Sequence, residues 1–107
     1  MNILIIENEV YLSHSISIKL SDLGHTCTMC TRYEDIMRDT VYDVVLLSTA
    51  IEESEFNRIL KDCRSSIIIF LVSYVNHDVI SKLLDSKGQD YIVKPFIMDH
   101  LINKIDH

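Results

Sequence analysis

Four polar residues stand directly after apolar runs in this 107-residue chain, and they are the ones with chemistry to offer. Ser48 closes the run Val44-Val45-Leu46-Leu47. Glu7-Asn8-Glu9 closes Ile3-Leu4-Ile5-Ile6, Ser73 follows Ile67 to Val72, and Lys94-Pro95 follows Tyr91-Ile92-Val93. A serine hydroxyl is a nucleophile only with a general base at hand, and no neighbouring position offers Ser48 a histidine. Magnesium takes hard, charged oxygens. Near the first strand only Glu7 and Glu9 supply them, and the two are not expected to face the same pocket.

The remaining reactive side chains form weaker patterns. Cys27-Thr28-Met29-Cys30 has C-x-x-C spacing, but on a strand its two thiols point to opposite faces, which suits neither zinc nor an internal disulfide. No second pair exists, and an exposed redox cysteine is the sharper alternative to plain packing. Cys63 lies on an apolar helical stripe and is expected in the core. The five histidines contain no i, i+4 pair that could hold a metal.

These residues need a scaffold to position them, and the chain is long enough for one domain with a substantial core. Nearly half its residues are apolar, with only two glycines and one proline. A net charge of −6 and the absence of a Lys/Arg cluster argue against direct nucleic-acid binding. The longest apolar run, Ile67 to Val72, is strand-sized and far short of the roughly 20 residues of a membrane span. An odd count of three cysteines suits a reducing compartment, and a cytoplasmic location with no membrane contact is expected.

The apolar pattern alternates between two periods. Ile3 to Ile6, His25 to Thr31, Val44 to Leu47, Ile67 to Val72 and Tyr91 to Val93 read as strands. Between and after them, four stripes at helical spacing are Leu12-Ile16-Leu20-Leu23, Phe56-Ile59-Leu60-Cys63, Val79-Ile80-Leu83-Leu84 and Met98-Leu101-Ile102-Ile105. Tyr33, Ile36 and Met37 predict one further short helix. Gly24 and Gly88 are expected to close the helices that precede them. Five strands alternating with five helices predict an α/β doubly wound, five-stranded parallel sheet, (βα)5, with strand order 2-1-3-4-5. Ligands of such sheets gather at the C-terminal strand ends. Glu7, Ser48, Ser73 and Lys94 all stand there.

Over essentially its whole length the chain resembles a response-regulator receiver domain, of the flavodoxin/CheY-like kind. The most specific stretch is Gly88-Gln-Asp-Tyr-Ile-Val-Lys94-Pro95-Phe96, similar to the family's Gly-Ala-x-x-Tyr-x-x-Lys-Pro-Phe. Ile3 to Glu9 resembles the strand that ends in the family's acids, and Asp43 to Ser48 the strand that carries its acceptor aspartate. Ser73 matches the small-hydroxyl position, Tyr91 the switch aromatic, and Lys94-Pro95 a peptide bond that is cis in the family.

The departures fall on one piece of chemistry. Ser48 replaces the acceptor aspartate, Asn8 replaces a direct magnesium ligand, and Thr49-Ala50-Ile51-Glu52 lacks the usual Pro and Asp-Gly. The resemblance is greatest to atypical orphan regulators of the Helicobacter and Campylobacter group, which work without aspartyl phosphorylation. It implies a degenerate phosphoacceptor site of Glu7, Asn8, Ser48, Ser73 and Lys94, with Lys94 a counter-ion to Glu7. No catalysis, cofactor, metal or small-molecule substrate is expected. It also implies a homodimer through a face that includes Lys82, Lys87, Asp90, Tyr91 and Asn103. DNA would be bound only through a further, C-terminal domain beyond residue 107. A stand-alone adaptor that binds a partner protein is the alternative. A flavin- or nucleotide-binding enzyme is disfavoured, because Glu7-Asn8-Glu9-Val10 is acidic where a glycine-rich phosphate loop would stand.

Overall fold

All five apolar runs become strands. The computed structural model describes residues 1–32, 40–50, 53–63, 65–73, 77–86 and 89–106. Along the chain these form β1 (Asn2–Ile6), α1 (Val10–Asp22), β2 (Thr26–Cys30), β3 (Val44–Ser48), α2 (Glu53–Asp62), β4 (Ile67–Val72), α3 (His77–Ser86), β5 (Asp90–Val93) and α4 (Met98–Asp106). The short helix predicted around Tyr33, Ile36 and Met37 lies outside the described residues, as does Gly88.

The sheet is parallel throughout, in the order β2-β1-β3-β4-β5. Continuous apolar strands arise because both faces are covered. Ile3, Ile5, Val44, Leu46, Ile69, Leu71 and Ile92 pack on one side with Ile16 and Leu20 of α1 and Leu101 and Ile105 of α4. Leu4, Ile6, Val45, Leu47, Phe70 and Val72 pack on the other with Ile59 of α2 and Leu84 of α3. Central β3 is buried at all five positions. Each fully buried Leu or Ile contributes about 1.5–3 kcal/mol relative to exposure. On the α2 side, Phe56 meets Phe70 with ring centroids 5.5 Å apart.

Helix α1 shows how the sequence ends an element. Gly24 takes φ +93°, a left-handed conformation suited to glycine. Its N–H donates to Ser21 O at 3.0 Å, and His25 N–H reaches back to Leu20 O at 3.1 Å. This is a Schellman termination, which satisfies carbonyls the last turn leaves open. The chain then re-enters the sheet as β2, one residue inside the predicted strand at each end.

Candidate functional site

The pleat decides which polar groups meet. Ile5, Leu46, Leu71 and Ile92 all face the α1/α4 layer. Two residues further along each strand stand Glu7, Ser48, Ser73 and Lys94, so all four share that parity at the C-terminal rim. Backbone bonds carry the ladder past the strands. Glu7 N–H donates to Cys30 O (3.3 Å), Thr49 N–H to Leu71 O (3.1 Å), and Lys94 N–H to Val72 O (2.8 Å).

Within this rim Lys94 Nζ forms an ion pair with Glu7 Oε1. The Glu7 side chain is fully buried and that of Lys94 is 13% exposed, so the pair sits in a medium that screens it weakly. The second oxygen, Glu7 Oε2, accepts from Glu9 N–H at 3.1 Å. The Lys94–Pro95 peptide bond is cis. Asn8 and Glu9 are exposed, and Glu9 stands at the N-cap position of α1 without a side-chain cap bond. The two glutamates differ in setting because β1 ends at Ile6 and Glu9 already belongs to the start of α1: Glu7 is buried and Glu9 exposed, although Glu9 shares the wall of one cleft with Lys94.

Ser48 is 0% exposed. Its Oγ accepts from Ala50 N–H at 3.2 Å, a local turn made by the first residues of the loop after β3. Thr49 Oγ1 donates to Leu71 O at 3.4 Å, adding a second tie across the β3–β4 end. Beside the ion pair lies a cleft of about 350 Å³, lined by Glu9, Leu12, Ser73, Lys94, Pro95 and Phe96. Ser48 is not among those residues. Among the described residues no group of three or more His, Cys, Asp or Glu side chains is arranged to hold a metal. The rim thus holds a buried hydroxyl that accepts from Ala50 N–H and a self-neutralised pair of charges.

The predicted association residues occupy a separate flank. Tyr91 is half-buried, and its hydroxyl donates to Asp85 Oδ2 at 3.4 Å. Asp90 Oδ1 accepts from Lys104 Nζ at 2.7 Å and from Tyr91 N–H at 2.9 Å. Lys82 and Asn103 are exposed, and Lys87 lies outside the described residues. Asp85 and Lys104 belong to this network but were not among the predicted residues. Each is brought in by a helix packed beside β5, and no spacing along the chain announces that meeting.

The C-x-x-C thiols separate as predicted. Cys27 packs with the α1/α4-side cluster, whereas Cys30 belongs to the α2/α3-side cluster together with Cys63. Burial pushes the Cys27 thiol up, partly opposed by hydrogen bonds from Ser21 and Ser17. Burial, reinforced by the Asp62 charge, pushes Cys63 up as well. Neither environment favours the reactive thiolate.

This strand order with helices on both faces is the CheY-like receiver fold of response regulators. No family model matches the chain. A receiver protein from Burkholderia phymatum superposes with a TM-score of 0.80 at 15% identity, covering 97% of this chain and 90% of that one. A solved member of a family of streptococcal redox sensors, evolved from two-component response regulators, gives a TM-score of 0.79 at 20% identity. It covers 98% of this chain and 49% of that protein. In sequence, the chain is 27% identical over 113 residues to the transcriptional regulatory protein DltR of Streptococcus agalactiae, covering 98% of this chain and 50% of DltR. The chain spans about half the length of the curated relatives it matches.

Proposed function

We propose that the chain is the regulatory receiver-like domain of an atypical response regulator that works without aspartyl phosphorylation. It acts by association, as a homodimer, and reaches DNA through a separate C-terminal domain. The observation that carries the reading is the rim. The residue at the acceptor position is a buried serine whose hydroxyl is engaged by Ala50 N–H, and the neighbouring lysine is already neutralised by Glu7. A carboxylate acceptor attacks without a base, whereas a hydroxyl needs one, and Ser48 is fully buried with its oxygen bonded to Ala50 N–H.

Likeness to a transcriptional regulator twice as long supports an output domain outside this chain. The redox sensors that evolved from response regulators support the idea that this scaffold persists under other forms of control. The resemblance to orphan regulators of the Helicobacter and Campylobacter group, a cytoplasmic location and the lack of enzymatic activity belong to the same proposal. No described helix is long and apolar enough to cross a membrane.

Association through α3, β5 and α4 presents Lys82, Asp90, Tyr91 and Asn103 as a mixed-charge set that two-fold symmetry can match to itself. Sedimentation of the purified chain, with and without Mg²⁺ and acetyl phosphate, tests the reading. The same dimer mass is expected in both conditions, falling to monomer in Asp90→Lys. A mass that shifts only when phosphodonor is present contradicts phosphorylation independence, and an unchanged dimer in Asp90→Lys contradicts this face.

A further inference from the structure

We infer that Glu7 acts as a built-in anionic ligand for Lys94 and closes the rim cleft to small external anions. The cleft is large enough for a phosphate- or sulfate-sized ion and carries a lysine and the Ser73 hydroxyl in its lining. Those groups would ordinarily make an anion site. Two features oppose it. The Lys94 ammonium is spent on a fully buried carboxylate, and exposed Glu9 adds a second negative charge to the cleft wall. An anion that draws Lys94 away strands Glu7 inside the protein with, among the described residues, only the bond from Glu9 N–H. Removing one partner of a buried ion pair is costly, so the penalty weakens anion binding by about a hundredfold or more.

The inference rests on the geometry of the pair and deepens the reading of an unphosphorylated rim, since it explains how a phosphodonor is refused before any chemistry. Glu7→Gln tests it, because the amide oxygen still accepts from Glu9 N–H while the charge is gone. Inorganic phosphate titrated into wild type, Glu7→Gln and Glu7→Gln/Lys94→Met is followed by calorimetry at constant ionic strength. Glu7→Gln is expected to bind about a hundredfold more tightly than wild type, and the double variant to lose that gain. A folded Glu7→Gln that binds no better than wild type overturns the inference.

A second measurement needs no variant. Phosphate should leave the acetylation rate of Lys94 in the wild-type chain unchanged, and phosphate protection of Lys94 also overturns it. Tight phosphate binding by wild type without covalent addition would remove this inference alone, whereas a phosphoryl adduct would remove the reading beneath it.

Discussion

Replacing Lys94 by methionine keeps the length and apolar stem of the side chain but removes the only cation paired with Glu7 among the described residues. Glu7 is fully buried, so among the described residues its carboxylate would be left with a single hydrogen bond, from Glu9 N–H. Breaking a buried pair in this one-sided way costs about 3–5 kcal/mol. For a domain of this size, whose whole stability is on the order of 5–15 kcal/mol, the loss lowers the melting temperature by about 20 °C.

The double variant Glu7→Gln/Lys94→Met removes both charges and keeps the bond to Glu9 N–H. It should lie within about 1 kcal/mol of wild type, or above it. Urea denaturation followed by circular dichroism, with the m-value checked for constancy, measures both. Lys94→Met within about 1 kcal/mol of wild type refutes the reasoning. So does a double variant as unstable as the single, because the penalty would then come from packing rather than from the stranded charge.

Two further outcomes follow from burial. Because burial raises the Cys27 and Cys63 thiols, iodoacetamide should modify native protein slowly at pH 7 and faster as pH rises past the ordinary thiol range. Half-buried Cys27 should react before buried Cys63, and peptide mapping that finds Cys63 alkylated at neutral pH as fast as a free thiol contradicts this. Leu46→Ala in central β3, where the side chain is fully enclosed, should cost about 2–5 kcal/mol in urea denaturation. A loss below about 1 kcal/mol would show that the α1/α4-side core is not packed as described.

Much of the fold was legible because the same residues specify period and burial. Ile3 to Ile6 and Val44 to Leu47 are apolar at every step, which only strands covered on both faces require. Right-handed crossovers then leave few topologies, and the order 2-1-3-4-5 is one of them. The strand-end positions of Glu7, Ser48, Ser73 and Lys94 were legible for the same reason, because each follows directly on an apolar run, whereas the geometry of the Glu7–Lys94 ion pair appears only in the structure.

What the sequence hides are contacts between elements and bonds to the backbone. Tyr91 reads as a switch aromatic, but its tie to Asp85 depends on how α3 lies beside β5. Asp90 reads as a charge for a partner, yet Lys104 of α4 reaches it within the same chain. Ser48 reads as a lost carboxylate, and only the turn after β3 shows that its oxygen is occupied by Ala50 N–H.

The central claim is that this receiver scaffold accepts no phosphoryl group, and intact-mass spectrometry after incubation with acetyl phosphate and Mg²⁺ tests it most directly. A phosphorylatable receiver treated in parallel serves as the control. This chain is expected to keep its unmodified mass while the control gains a phosphoryl group. A stoichiometric phosphoryl adduct on this chain, at Ser48 or at any residue of the rim, would contradict it.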